Sequence, residues 1–139
     1  MARERELSAG TPTRVLCVDD DRIHGLLLGE LCRGAGAVEL AIAETAQEAL
    51  ALAAGFAPQL LLLDMNLPDG DGLTLLPQLR ARVGHPSLPA VLCTAELPCD
   101  VAPQARAAGF DEVWAKPVAL QPLRDAVARA ATQSGADAA

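Results

Sequence analysis

The sequence predicts an α/β chain with one doubly wound, five-stranded parallel sheet between two layers of helices. Three observations predict it. Five short apolar runs alternate with five segments of helical period, and alternation of this kind builds a parallel sheet. The run PQLLLLD (58–64) is apolar until its final residue, as suits a parallel strand covered on both faces. Acidic and polar residues stand directly after the runs, where open α/β sheets bind their ligands. Right-handed crossovers leave few doubly wound orders, and the order 2-1-3-4-5 is expected.

The elements follow in turn. RVLCV (14–18) is a short apolar run ended by charge, hence a buried strand. The first helix carries Ile23, Leu27 and Leu31 at helical spacing, with Gly34 and Gly36 as its stop. Asp21 is placed to cap that helix. VELAIA (38–43) alternates as a second strand. Thr45 and Glu48 then form a T-x-x-E capping box for AQEALALAAG, with Gly55 as the end. After the third strand, NLPDGDG (66–72) consists of turn residues. The next helix starts near Thr74, because Pro77 fits only in a first turn. PAVLCT (89–94) is the fourth strand, 100–109 a short Ala-rich helix, and DEVWA (111–115) the fifth strand. The last helix spans 120–133, with Leu123, Val127 and Ala130 on one face. Residues 1–12 read as a flexible N-terminal tail, 13–133 as one folded domain, and 134–139 as a flexible C-terminal tail.

Composition narrows the function classes. The chain has 139 residues, of which 51 % are hydrophobic, enough for a single core burying about two thirds of the unfolded surface. That core is aliphatic, because Tyr is absent and only two Phe and one Trp occur. The net charge of −7 and the lack of a Lys/Arg stripe argue against direct nucleic-acid binding. No stretch reaches the roughly 18 apolar residues of a membrane span, and the N-terminus has no signal-peptide core, so the cytoplasm is the expected compartment. Cys17, Cys32, Cys93 and Cys99 form no CxxC pair and read as reduced, structural thiols.

The residues after the strands carry the chemistry. They are Asp19 and Asp20 after the first, Asp64 after the third, Thr94 after the fourth, and Lys116-Pro117 after the fifth. The second strand gives only Glu44 and Thr45, at the sheet edge. Acids from neighbouring strands would converge on one point. Such a cluster is unfavourable alone and favourable around a hard cation such as Mg²⁺, which takes carboxylate and phosphate oxygens. Lys116 and the Thr94 hydroxyl could then bind phosphoryl oxygens, and an aspartate in such a site can act as a nucleophile.

Asp-Asp, Asp, Thr-Ala and Lys-Pro in this order, each behind its strand, resemble the signature of response-regulator receiver domains. The likeness covers about Arg14 to Thr132, with a chemotaxis-regulator-like, single-domain pattern and a flavodoxin-like fold. It implies Asp64 as the phosphoacceptor, fed by a sensor histidine kinase or a histidine phosphotransfer protein. It implies Asp20, Asp64 and the Asn66 carbonyl as direct Mg²⁺ ligands, and Asp19 as the acid that holds the metal through water. It implies phosphate contacts from Thr94, the Ala95 N–H and Lys116, and a cis bond at Pro117. The family usually has an aromatic three residues before the lysine. Here Val113 stands there and Trp114 follows, on the opposite face of the strand. The signal is then expected to pass through movement of the 95–109 segment. The output partner is unnamed by the sequence, and a phosphorylation-dependent dimer is left open.

Alternatives stand beside this reading. The chain could be a receiver cut from a longer multidomain regulator. VLCVDDDRI also resembles the first motif of haloacid dehalogenase-like phosphatases, but only Asp125 and Asp137 follow Lys116, on no strand, and there is no cap insertion. A binding-only module would not need the complete acid cluster. DMNLPDGDG fails as an EF-hand because Leu75 holds the twelfth position, so Asp69 and Asp71 read as turn residues. His24 reads as a surface histidine, since no second ligand follows at i+4. Leu26 to Leu28 exceed what one helix face needs, which reads as core plus scatter, with a partner-docking face as the alternative.

Asn66, two residues after Asp64, and Glu96, two after Thr94, border the path of the hydrolytic water in the resemblance. They predict a short-lived phosphoryl group with a half-life of seconds to minutes. Following the decay of the phosphorylated protein by mass checks this, and persistence for hours would refute it.

Overall fold

The computed structural model describes residues 11–138, with side chains through Gln133. The elements are β1 (Thr13–Val18), α1 (Arg22–Arg33), β2 (Val38–Ala43), α2 (Ala46–Phe56), β3 (Leu60–Asp64), β4 (Asn66–Leu67), β5 (Gly70–Asp71), α3 (Gly72–Val83), β6 (Ala90–Thr94), α4 (Pro98–Ala108), β7 (Glu112–Ala115) and α5 (Leu120–Ala138). The main sheet has the order β2-β1-β3-β6-β7 with every pairing parallel. Counting its five strands in chain order, this is the expected 2-1-3-4-5. The anticipated tail at residues 1–10 and residue 139 lies outside the described residues. Helical backbone continues through 134–138, the stretch read as a tail.

The pleat divides the core in two, because successive strand residues point to opposite faces. Leu16, Val18, Leu61, Leu63 and Leu92 pack against α2, α3 and α4 through Ala49, Ala53, Leu76, Leu79 and Ala105. Val15, Cys17, Leu60, Leu62, Val91 and Cys93 pack against α1 and α5 through Leu28, Cys32, Leu123 and Val127. The twelve largest fully buried side chains are all leucines, each contributing about 1.5–3 kcal/mol by burial. Cys17, Cys32 and Cys93 are buried free thiols, and Cys99 is an exposed one. Burial pushes the Cys93 thiol up to about 12 and Cys32 to about 11. These groups are packing, not nucleophiles.

Several local expectations change. In α1 the buried stripe is His24, Gly25, Leu28 and Cys32, not Ile23, Leu27 and Leu31. Ile23 and Leu26 are 72 % and 74 % exposed, and Leu27 48 %. Asp21 sets the phase, since its carboxylate accepts from the Ile23 and His24 N–H groups. Gly25 then faces Ile42, whose Cδ1 would lie 3.3 Å from an added Cβ. Helix α2 runs past Gly55 to Phe56, and Ala57 takes the left-handed cap at φ 53°. The 66–72 segment contains the short antiparallel pair β4–β5, which a reading of turn residues alone omits. Helix α3 starts at Gly72, so Pro77 lies inside it and leaves the Leu73 carbonyl without an intrahelical donor. Helix α4 begins at Pro98, earlier than expected, and holds Pro103 in its interior.

Two acids read as turn residues are helix caps. The Asp71 carboxylate accepts from the Thr74 N–H at 2.8 Å at the start of α3. Asp69 reaches from the hairpin to the start of α2, accepting from the Ala46 and Gln47 N–H groups at 2.8 and 3.0 Å. The Thr45 hydroxyl accepts from the Glu48 N–H at 3.0 Å, and Glu48 in turn accepts from the Glu44 N–H.

Gly72 closes the loop that follows β3. Its N–H donates to the Met65 carbonyl at 3.0 Å. A Cβ there would stand 2.4 Å from the Asp64 carbonyl oxygen. Gly72→Ala must therefore displace the backbone at the end of β3. A loss of about 1–3 kcal/mol is expected, measured by denaturant unfolding. An unchanged midpoint would show that the loop yields freely.

Candidate functional site

The register of the sheet brings the site together. Val18 lies opposite Leu63, and Asp64 opposite Cys93, so the residues ending β1, β3 and β6 share one edge. One carboxylate oxygen from each of Asp19, Asp20 and Asp64 lies within 4.8 Å of the others. Asp19 is 2 % exposed and Asp64 9 %, while Asp20 is exposed. Lys116 follows β7 and reaches across: its Nζ is 2.9 Å from Asp19 Oδ2 and 3.2 Å from Asp64 Oδ2. The Lys116–Pro117 peptide is cis, and the Lys116 N–H donates to the Thr94 carbonyl at 2.8 Å.

Thr94 ends β6 with 1 % exposure, and its hydroxyl accepts from the Glu96 N–H at 3.0 Å. Ala95 and Glu96 are exposed on the loop before α4. Asn66 is exposed in β4, paired with Asp71. Val113 packs toward the α2–α4 side of the sheet and Trp114 toward the α1–α5 side. The Trp114 Nε1–H donates to Glu112 Oε1 at 2.9 Å.

His24 is the residue sequence reasoning missed. It is 5 % exposed, and its Nδ1 lies 2.7 Å from Asp19 Oδ2. Its Nε2 accepts from the Val118 N–H at 3.4 Å. The available signal was Asp21 as a cap, which turns the third residue of the helix toward the end of β1. Its partner at Val118 is too distant in sequence for any local spacing to reveal.

The electrostatics of the two buried acids diverge. Burial works against the charge of Asp19, but bonds from His24, the Asp21 N–H and Lys116 outweigh it and hold the carboxyl at about 2. Burial and then the Asp19 charge raise Asp64 above its ordinary value, and Lys116 only partly opposes them. For Lys116, burial favours the neutral amine, but Asp19 and Asp64 prevail and raise it. The arrangement is a deep carboxylate locked in its ionised form, a neighbouring carboxylate resisting its charge, and a cation bridging both. A carboxylate of this kind can act as a nucleophile beside a bound cation.

Comparison with known proteins accounts for this arrangement. The family model of the response regulator receiver domain matches residues 15–128. A response regulator receiver protein of Anaeromyxobacter sp. (strain Fw109-5) is 41 % identical over 112 residues, covering 81 % of this chain and 46 % of its own length. The response regulator protein PilR of Pseudomonas aeruginosa is 38 % identical, covering 84 % of this chain and 26 % of its own. A putative response regulator from Chloroflexus aurantiacus has a solved structure that is 30 % identical. Its TM-score is 0.78, over 87 % of this chain and 98 % of that one. A CheY-like receiver domain protein from Methanospirillum hungatei is 26 % identical with TM-score 0.76, over 91 % and 98 %. The site and fold thus define a phosphoacceptor module of two-component signalling. The chain belongs to the response-regulator receiver domain family. It spans less than half the length of these two curated relatives.

The raised Asp64 carboxyl gives a signed prediction. Its ionisation opposes folding near neutral pH, and that penalty is relieved as pH falls through its raised folded value. Asp64→Asn should therefore raise the Tm of the metal-free protein at pH 7. The advantage should shrink on acidification. Asp19 acts oppositely: its stabilisation is complete above its ordinary 3.8 and is lost as pH falls toward about 2. Thermal melts of both proteins across pH test the pair of signs, and a destabilised Asp64→Asn at pH 7 would contradict them.

Proposed function

We propose that Asp64 accepts a phosphoryl group from the phosphohistidine of a sensor kinase or histidine phosphotransfer protein. The observation that carries this is the Lys116 ammonium held between Asp19 and Asp64 inside the three-carboxylate cluster. An Asp64 oxygen attacks phosphorus, the P–N bond to the donor imidazole breaks, and its electron pair remains on that nitrogen. Lys116 follows the charge from carboxylate to phosphoryl oxygen. The Thr94 hydroxyl and the Ala95 N–H supply further donors on the same edge. Asn66 and Glu96, both exposed at the mouth, flank the approach of the water that later hydrolyses the acyl phosphate.

The donor set fits Mg²⁺, because it is all oxygen and three of its members are acidic. Asp20, Asp64 and the Asn66 carbonyl would hold the ion directly, and Asp19 through water. Asp19 suits the outer position, since its Oδ1 accepts from the Asp21 N–H at 2.9 Å and its Oδ2 already serves His24 and Lys116. Bound there, Mg²⁺ supplies the positive charge that lets carboxylates and phosphoryl oxygens approach. A solved response regulator from Burkholderia pseudomallei, 26 % identical with TM-score 0.69, holds a phosphorylated aspartic acid and a calcium ion, which supports the reading.

The exposed Ile23, Leu26 and Leu27 lie on α1, the helix that Asp21 caps. They form a partner-docking face in this reading. In this reading the chain catalyses only its own phosphorylation and dephosphorylation, in the cytoplasm. Output passes to an unidentified protein through the α4–β7–α5 side. No helix among the described residues is long and apolar enough to cross a membrane. Whether the chain acts alone or within a longer regulator does not alter the chemistry.

Incubation with Mg²⁺ and acetyl phosphate, read by intact mass, tests the assignment. One added phosphoryl group is expected in wild type and none in Asp64→Asn or after EDTA. An adduct persisting in Asp64→Asn would place the acceptor elsewhere.

A further inference from the structure

His24 uses both ring nitrogens, one toward a carboxylate of the acidic cluster and the other toward the segment that follows Lys116. Its Nε2 accepts from the Val118 N–H, so the ring proton sits on Nδ1 and is donated to Asp19 Oδ2 at 2.7 Å. Val118 is two residues beyond Lys116, across the cis peptide. The imidazole therefore joins the carboxylate that Lys116 contacts to the loop that carries Lys116. Simple filling of this space by an aliphatic side chain would avoid burying a polar ring that must be satisfied at two points. No buried side-chain nitrogen or oxygen among the described residues lacks a partner, so the arrangement is complete as it stands.

Building on the assignment above, we infer that His24 is a positioning residue for phosphoryl transfer. It clamps Asp19 on the metal side of the site to the Lys116–Val118 loop on the phosphate side. The clamp fixes the plane of the Asp19 carboxylate. Oδ2 is taken by His24 and Lys116 and Oδ1 by the Asp21 N–H, so Asp19 meets the cation through water while Asp20 and Asp64 remain available. The clamp also fixes the height of Lys116 above Asp64. Because His24 lies on the same helix as the exposed Ile23, Leu26 and Leu27, displacement of that helix would move Asp19 and Lys116 together.

The test compares wild type with His24→Leu, His24→Asn, His24→Gln and Leu28→Val. Calorimetry gives Mg²⁺ affinity, and intact mass gives the acetyl phosphate reaction rate at saturating Mg²⁺. In His24→Leu, Mg²⁺ affinity falls about tenfold, as for loss of a partner that orients a metal ligand, and the saturated rate falls by a similar factor. In His24→Asn the amide N–H stands in for Nδ1 and returns both to within about threefold of wild type. His24→Gln, which matches Nε2 instead, stays impaired. Leu28→Val loosens the same buried face and changes neither quantity. Long-range ¹H–¹⁵N spectra of wild type show the Nδ1-protonated tautomer. If His24→Leu fails to fold, the Asn and Gln variants decide the matter. Affinity and rate within about twofold of wild type in His24→Leu, an Asn variant no better than Leu or Gln, or the Nε2-protonated tautomer would overturn the clamp. A wild type that takes up neither Mg²⁺ nor phosphate would overturn the site assignment instead.

Discussion

Like charge held at close range is the constraint on which this molecule rests. Asp19, Asp20 and Asp64 are brought together by strand register, since β1 and β3 are neighbours and end level with one another. Nothing in that edge favours three carboxylates. What holds them is the rigidity of the sheet beneath, packed on both sides by fully buried leucines, together with a few directed donors. Lys116 answers two of the acids, and His24 and the Asp21 N–H answer the deepest one. Asp64 remains undercompensated, since burial and the Asp19 charge raise it despite Lys116. The core therefore sustains an electrostatic demand at Asp64 that a bound cation would relieve.

Much of this was legible in the sequence, for a definite reason. An apolar run that stops at an acid announces both a buried strand and the place where it emerges. Asp19, Asp64, Thr94 and Lys116 could thus be assigned to one edge from runs such as RVLCV and LLLLD. The sheet order and the two-layer core followed from the same alternation. Capping chemistry was also local enough to read at Asp21 and Thr45.

What stayed hidden depended on phase or on distance. In α1 the apolar residues recur on two faces, and periodicity alone favours Ile23, Leu27 and Leu31. The buried side is instead selected by Asp21 at the cap and by the close approach of Gly25 to Ile42. His24 followed the wrong phase and so appeared superficial. The end of α2 was placed at Gly55, yet Ala57 adopts the left-handed conformation a glycine usually provides. Pro77 suggests a first turn, but tertiary packing of Leu75, Leu76 and Leu79 carries α3 across it. Asp69 sealed the start of a helix more than twenty positions upstream, which no short motif encodes.

The caps around the acceptor loop are unequally distributed. On one side, Asp69 fastens the hairpin to α2, Asp71 fastens it to α3, and Gly72 seats it against the Asp64 carbonyl. On the other, α4 opens at Leu97 with no side-chain cap and carries Pro103 within. The helix starts on the two flanks of Asp64 are thus tied unequally. The start of α4 therefore has fewer directed ties to give up than the starts of α2 and α3.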